Sequence, residues 1–174
     1  MVDNVLVVDI EATCSRDKQM EMETIEIGAV LVDISNGELG DQFDEFVRPV
    51  RNPELTTFCT ELTGITQEDV DGVISFPSVY ERFRSWAEQK GMDGFCSWGR
   101  FDALQLRRDC EFHGVEYTFR THVDLGRLFA KRFHKRRGHR GALRMLRLEP
   151  VGRHHRGIDD AKSIAKMVPL LLGS

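Results

Sequence analysis

The sequence predicts an α/β fold in which one sheet is flanked by helices. Three apolar segments near the N-terminus are typical of strands. The second and third are joined through Asn36-Gly37, a strong turn signal, and so the three predict a meander. Farther along the chain, short apolar segments alternate with segments of helical period. Strands followed by an alternation of helix and strand indicate a single sheet with helices packed on it.

Local signals place each predicted element. Apolar runs and period-two alternation predict strands at 5–11, 25–33, 42–47 and 95–98, and another near Val123. The helical period, with Pro near a start or Gly at an end, predicts helices at 77–90, 101–113, 126–134 and 141–148, and a last one from about Gly157. Residues 49–71 form a mixed connection. Because no repeat or low-complexity linker interrupts this order, we expect one domain over residues 1–174.

The composition is that of an ordinary globular protein, with 41% hydrophobic and 30% charged residues in a chain of 174. No apolar run approaches the roughly 18 residues of a membrane span, and the N-terminus lacks a signal-peptide pattern. The four cysteines show neither C-x-x-C pairing nor zinc-like spacing, which is typical of reduced thiols. We therefore expect a cytoplasmic protein that does not contact a membrane, and no motif indicates a protein partner.

The first predicted strand contains two carboxylates, Asp9 and Glu11. Side chains alternate across a strand, and so both should lie on one face, a few ångströms apart and next to the core. Uncompensated carboxylates there cost several kcal/mol or change their pKa, which implies a bound cation. Oxygen ligands alone favour Mg²⁺ or Mn²⁺. The alternative is that both residues lie in a solvated loop after the strand.

Asp102 is a third candidate, just after a predicted strand and in the first turn of the helix 101–113. Its spacing from Leu106 and Cys110 puts it beside the core-facing side of that helix. The alternative is a helix cap or a dipole partner worth about 0.5–2 kcal/mol.

The last predicted helix separates two adjacent acids by geometry. At about 100° per residue, Asp160 lies roughly 70° from the centre of an apolar stripe and can reach inward. Asp159 lies nearly opposite that stripe and should face solvent, among Lys162, Ser163 and Lys166. Just upstream, His155 could accept a proton near neutral pH. The alternative for the pair His154-His155 is an exposed position without function.

Basic residues concentrate between positions 125 and 158, where eleven Lys and Arg face a single acid, Glu149. The densest part, 131–140, contains Arg136 and Arg137. Beside a metal site such a segment favours phosphate binding. The alternative is a solvated loop.

Together these residues resemble a known family. Asp9 with Glu11, then Asp102, then His155 with Asp160 five residues later, is similar to the DEDDh (DnaQ-like) superfamily of 3′-to-5′ exonucleases. Finer motifs resemble its enhanced-RNA-interference exonuclease and KapD-like subgroup. They are Asp-Ile-Glu-Ala-Thr-Cys at 9–14, Phe-Val-Arg-Pro at 46–49, Leu-Thr-Gly-Ile at 62–65 and Gly-Arg-His-His-Arg-Gly-Ile-Asp-Asp-Ala at 152–161.

The resemblance implies a ribonuclease H-like fold with a five-stranded mixed sheet, in which the first three strands are antiparallel neighbours. It implies two divalent ions, Mg²⁺ or Mn²⁺, held by Asp9, Glu11, Asp102 and Asp160, with His155 as general base. The expected substrate is a single-stranded RNA or DNA 3′ end, and the expected product a nucleoside 5′-monophosphate. We expect a single exonuclease domain over 1–174, without a further nucleic-acid-binding domain before Met1.

By the same resemblance, Leu62 of the Leu62-Thr63 pair wedges near the terminal bases and Phe101 stacks on the last base. The chain around Ala12 and Thr13 meets the terminal 3′-hydroxyl. The alternatives are core positions for Leu62 and Phe101 and a turn position for Thr13. For the whole chain, the alternative to an enzyme is a non-catalytic nucleic-acid-binding or regulatory protein with the same fold. Complete presence of the five-residue set favours the enzyme.

Overall fold

The computed structural model describes residues 4–17 and 20–173. Its centre is a five-stranded sheet in the order β3-β2-β1-β4-β5. The strands are β1 (Asn4–Ala12), β2 (Thr24–Asp33), β3 (Leu39–Phe46), β4 (Gly94–Ser97) and β5 (Thr121–Asp124). The first three pair antiparallel, and β4 lies parallel to β1 and to β5. The predicted meander and the mixed sheet are confirmed, and the carboxylate strand β1 is central.

Eight helices surround the sheet in the described residues: α1 (Thr57–Thr63), α2 (Gln67–Asp71), α3 (Phe76–Gln89), α4 (Phe101–His113), α5 (Leu125–Phe133), α6 (His139–Leu146), α7 (Gly157–Ala165) and α8 (Val168–Leu172). Two of them, α1 and α2, lie within the predicted mixed connection. Each begins at a threonine cap, because the hydroxyl of Thr56 accepts from Cys59 N–H and that of Thr66 from Asp69 N–H.

The two faces of the sheet bury separate apolar layers. Alternate residues of β1, such as Leu6 and Val8, pack with α3 and α4 on one face. Val7 packs on the other face with α5, α7 and α8. Asp9 and Glu11 follow Val7 in the period of two, and so both lie on the α7 face. This confirms the shared face predicted from the sequence.

Two glycines let the start of α7 touch the sheet. A Cβ on Gly28 of β2 would lie only 2.1 Å from the Ile158 nitrogen, and one on Gly157 would lie 2.8 Å from the Asp9 carbonyl oxygen. Any larger side chain at Gly28 would force α7 away from β2. This close approach brings the first turn of α7, with Asp160, over the carboxylates of β1.

The last helix, predicted from about Gly157, is followed in the structure by a second helix. The helix is interrupted at Lys166 and Met167, and α8 starts at Val168. Pro169 explains the interruption, because it lacks an N–H and its ring would clash with the carbonyl of Ala165 in a continuous helix. The exposed position expected for Ser163 is wrong: Ser163 is buried, and its hydroxyl accepts from Val151 N–H at 2.8 Å.

No helix in the described parts of the chain is long and apolar enough to cross a bilayer. All four cysteines are free thiols, as expected. The cytoplasmic location and the single-domain organisation over 1–174 stay predictions.

Candidate active site

Asp9 and Glu11 lie at the end of β1, close to the carboxylates of Asp102 and Asp160, and this group of four acids is called the acidic recess. Glu11 is 8% exposed, and its backbone neighbour on β2 is another acid, the fully buried Glu26. Among the described residues, no basic side chain forms an ion pair with Asp9 or Glu11. Burial, followed by the charges of Glu26 and Asp160, raises the pKa of Glu11 to about 8. The recess is therefore short of positive charge.

Asp102 joins this recess from the first turn of α4. Its side chain is 4% exposed, and its Oδ1 accepts from the Ile10 N–H at 3.0 Å, which ties it to β1 between the two carboxylates. Burial raises the pKa of Asp102 to about 6, although the bond from Ile10 lowers it in part. Burial and the charges of Asp102 and Glu11 also raise the pKa of Asp9 well above its ordinary value. The inward position predicted for Asp102 is confirmed.

Asp160 enters from the first turn of α7 and is 1% exposed. Within the described parts of the chain it differs from Asp9 and Glu11 in having three nearby nitrogen groups: its Oδ2 accepts from His155 N–H at 2.8 Å, and ring nitrogens of His139 and His154 lie 3.0 Å from its oxygens. Burial alone would raise the pKa of Asp160, but these contacts, led by His139, hold it below its ordinary value. Its inward position was predicted.

Asp159 has a structural role in the same helix turn. It is half-buried, and its Oδ2 accepts from the Arg153 N–H at 2.9 Å. The solvent-facing position expected from the sequence is only partly observed, because this acid holds the loop that contains His155.

His155 lies in this loop with a backbone φ of +62°, a left-handed conformation that is rare outside glycine. Neighbouring contacts hold the backbone there: Glu26 accepts from Gly157 N–H at 3.0 Å and from Arg156 Nε at 3.2 Å. A ring nitrogen of His155 lies within 4.8 Å of ligand oxygens of both Glu11 and Asp160. Burial, then the charge of His154, lowers the pKa of His155, which favours the neutral imidazole at pH 7.

Sequence reasoning missed two residues of this site, Glu26 and His139. Glu26 had a signal, since it is an acid inside the apolar run 25–33 that predicts a buried strand. No sequence signal distinguished His139, because it lies among the Lys and Arg residues of the basic segment 131–140. The structure starts α6 at His139, two residues before the predicted start, and this turns the imidazole toward Asp160.

The donor set fits a hard divalent cation. Carboxylate oxygens are the ligands that Mg²⁺ and Mn²⁺ prefer, and a cation would offset the repulsion that raises the pKa of Asp9 and Glu11. Asp9, Glu11, Asp102 and Asp160 come from three elements that converge at one edge of the recess. They are the residues that could hold such ions.

The residues expected to contact a substrate divide into buried and exposed groups. Ala12, Thr13 and Thr63 are buried, and the hydroxyls of Thr13 and Thr63 already accept from backbone N–H groups at 2.9 and 3.0 Å. Contacts with a substrate from these residues would come from their backbone. Leu62 is 37% exposed and Phe101 is 42% exposed, and so neither occupies the core. Their side chains are available for bases.

Two contacts bring α1 to the site. The Cys59 thiol donates to the Ala12 carbonyl at 3.7 Å, which joins α1 to the end of β1. Gly64, the left-handed C-cap of α1, lies directly against the Arg153 guanidinium, because a Cβ there would be 2.0 Å from Nη1. The helix α1, which contains Leu62, therefore contacts both the end of β1 and the loop that contains His155.

Arg136 and Arg137 lie in an exposed irregular segment between α5 and α6. The Arg137 carbonyl accepts from the Trp98 indole N–H at 2.9 Å, and a cavity of about 420 Å³ separates this segment from the turn at Gly99. The segment leads directly into His139 of the site. It therefore connects the recess to an exposed basic surface.

A family model described as "Exonuclease" matches residues 6–168 of the chain. The chain therefore belongs to this exonuclease family. Among relatives, it is 34% identical to ERI1 exoribonuclease 3 of Homo sapiens over 177 residues, which cover 95% of this chain and 52% of that protein. It is 33% identical to ERI1 exoribonuclease 2 of Xenopus laevis, over 96% of this chain and 28% of that protein.

Solved structures agree. The nuclease domain of 3′hExo, described as a DEDDh family member bound to rAMP, has a TM-score of 0.91 and 28% identity, with 98% of this chain and 92% of that chain covered. Within the family, the chain is therefore of the DEDDh, ERI1 type. It spans about a quarter to a half of the length of the curated relatives named above.

Proposed function

We propose that this chain is a metal-dependent 3′-to-5′ exonuclease that releases nucleoside 5′-monophosphates from single-stranded nucleic acid, with RNA as the favoured substrate. The observation that carries the proposal is the convergence of Asp9, Glu11, Asp102 and Asp160 with the imidazole of His155 in one recess. The relatives named exoribonucleases support RNA, and a further neighbour of TM-score 0.91 is described as recognising the 3′ end of a histone mRNA stem-loop.

The four carboxylates would hold two divalent ions, Mg²⁺ or Mn²⁺. When bound, such ions supply positive charge that polarises a phosphodiester and lowers the pKa of water. The protein keeps the ligands in place before any ion binds: Asp102 is tied to β1 through Ile10, and Asp160 is fixed by α7 packing on Gly28. This preorganisation lowers the cost of assembling the site.

His155 would act as the general base. Its ring takes the proton of the water that attacks the phosphorus, while the bond to the departing 3′-oxygen breaks. The lowered pKa keeps the ring neutral and able to accept that proton at pH 7. Glu26 positions this base rather than reacting, because it accepts from Arg156 and Gly157 and so holds the loop in its left-handed conformation.

The exposed Phe101 and Leu62 would contact the last bases, one at the start of α4 and the other at the end of α1. The 3′-hydroxyl would meet the backbone at Ala12 and Thr13. Arg136 and Arg137 would bind phosphates farther from the 3′ end, because their segment contacts Trp98 through the Arg137 carbonyl and leads into His139.

The decisive experiment is digestion of matched RNA and DNA oligonucleotides with free and 3′-blocked ends, with Mg²⁺ or with a chelator. We expect mononucleotides from free 3′ ends only, in Mg²⁺ only, and faster from RNA. Binding without cleavage under all conditions would contradict the proposal and favour a non-catalytic nucleic-acid-binding protein. Asp102→Asn is the matched control, since it removes one ligand charge and keeps an oxygen to accept from Ile10 N–H.

A further inference from the structure

Asp160 lies between two imidazoles that the proposed exonuclease reaction does not use. His139, in the first turn of α6, places Nε2 at 3.0 Å from Asp160 Oδ1. His154, in the loop before α7, places Nδ1 at 3.0 Å from Oδ2. The ring centroids of His139 and His154 are 5.1 Å apart, at a steep angle of 74°. Two nitrogens from different elements thus converge on one buried carboxylate.

We propose that His139, His154 and Asp160 form a binding site for a transition-metal dication of the Zn²⁺ class. The site goes beyond the proposed function, which needs only carboxylate ligands and one histidine as a base. Its three ligand atoms, one from each residue, lie within 4.8 Å of one another. Two histidines with one carboxylate and an open fourth position are a ligand set that Zn²⁺ uses in proteins.

Binding of an ion requires a side chain of the cluster to move. Zn–N and Zn–O bonds of about 2.0–2.2 Å in a tetrahedron put neighbouring ligand atoms roughly 3.3 Å apart. The observed 3.0 Å distances join His139 Nε2 to Oδ1 and His154 Nδ1 to Oδ2, which are different oxygens of Asp160, and the three ligand atoms lie within 4.8 Å of one another, so one side chain must move closer to complete the tetrahedron. The His154 side chain is 41% exposed and can adjust, while His139 and Asp160 are held by α6 and α7.

The ligand chemistry separates this site from the carboxylate site. Mg²⁺ prefers oxygen ligands, whereas imidazole nitrogen favours Zn²⁺, Co²⁺, Ni²⁺ and Cu²⁺. An anion such as phosphate is the other ligand that a cluster with His139, Arg140 and His154 could attract. Both imidazoles are directed at the Asp160 carboxylate, and Arg140 Nε is 4.0 Å from its Oδ1, so an anion there would face a negative charge.

Because Asp160 belongs to both sets, Zn²⁺ and the catalytic Mg²⁺ would compete for it. Zn²⁺ should therefore inhibit hydrolysis at concentrations that match its own affinity. This consequence rests on the proposed function, whereas the binding itself does not.

The test is direct metal binding to the full chain at constant pH. Calorimetry with Zn²⁺ should show one tight site per chain, separate from weaker binding to the carboxylate site, and Co²⁺ should give the intense visible absorption of four- or five-coordinate geometry. His139→Gln and His154→Gln should each lower Zn²⁺ affinity by about 100-fold or more and remove that absorption. Both variants should unfold cooperatively on heating in the absence of metal, which shows that they fold.

Arg140→Gln is the matched control, because it removes a nearby positive charge but no ligand. We expect it to bind Zn²⁺ at least as tightly as the unmodified chain. Equal loss of affinity in the arginine and histidine variants would overturn the ligand assignment. So would the absence of stoichiometric Co²⁺ binding, or a strong thiolate-to-Co²⁺ band, which would assign the ion to Cys14 and Cys59. None of these readouts requires nuclease activity, so failure of the exonuclease proposal would be seen separately.

Discussion

Replacing Glu11 with Gln should stabilise the protein in the absence of metal. The folded-state pKa of Glu11 is about 8, above the ordinary 4.5, because burial and neighbouring acids disfavour its charge. The folded protein therefore binds this proton more tightly than the unfolded chain does. Ionisation of Glu11 therefore lowers the free energy of unfolding. This loss of stability is absent below pH 4.5, grows as the pH rises, and is complete above pH 8.

The magnitude follows from the two pKa values. At pH 7 the loss of stability is about 3 kcal/mol, and at pH 9 about 5 kcal/mol. Solvent screens little of it, since Glu11 is only 8% exposed. Gln has the shape of the protonated acid and no charge, but burying its amide costs about 1 kcal/mol. The net gain at pH 7 is about 2 kcal/mol, or about 4–8 °C in melting temperature for a chain of this size.

The assay is thermal unfolding of both proteins in a chelator, from pH 4.5 to pH 9. The melting temperature of Glu11→Gln minus that of the unmodified chain should be near zero or slightly negative at pH 4.5 and should increase steadily toward pH 9. In saturating Mg²⁺ the order should reverse, because Gln removes a ligand charge. A difference in melting temperature that does not change with pH would refute the explanation that burial and neighbouring acids disfavour the charge of Glu11. A variant less stable than the unmodified chain at pH 9 would also refute it.

Three further predictions concern the reaction and the substrate. His155→Ala should lower the rate of hydrolysis by about 10²–10⁴, because the general base is lost. The rise in melting temperature caused by Mn²⁺ should persist, because no metal ligand is lost. Single-turnover rates test this prediction, and near-normal turnover would contradict it. Asp160→Asn should be folded and nearly inactive. Asp159→Asn should stay active, because its side chain still offers an oxygen to the Arg153 N–H. Rates and melting curves of both variants test this, and the opposite pattern would make Asp159, not Asp160, the metal ligand. The double variant Arg136→Ala with Arg137→Ala should bind single strands with a weaker dependence on salt. The slope of log binding constant against log salt concentration should fall by roughly 0.7 for each phosphate that the variant no longer binds. Cleavage of a dinucleotide should be unchanged. An unchanged slope would make this segment a solvated loop.

Several features of the site follow from local pattern. The period of a strand places Asp9 and Glu11 on one face, and helix geometry turns Asp102 and Asp160 toward the core; the structure confirms each position. These inferences succeed because spacing within one element determines direction. The roles of these residues in binding and catalysis stay predictions.

Other local signals were present but insufficient. The C-terminal helix ends early because Pro169 outweighs a continuous apolar stripe. Ser163 is buried although its side of the helix looks polar, since its hydroxyl satisfies Val151 N–H in the adjacent loop. In both cases a backbone N–H group, missing at Pro169 and satisfied by Ser163 at Val151, outweighs what the apolar period of the helix predicts.

The sequence by itself determined the α/β fold, the meander and the set of carboxylates, because strand and helix periods are local properties of the chain. Only the tertiary structure decided what surrounds Asp160. His139 is 21 residues away in a basic segment, and it reaches the carboxylate because α6 starts at that residue and lies beside α7. Glu26 holds the His155 loop from 130 residues away. Such contacts depend on the packing of separate elements against each other, and no period within a single element specifies that packing.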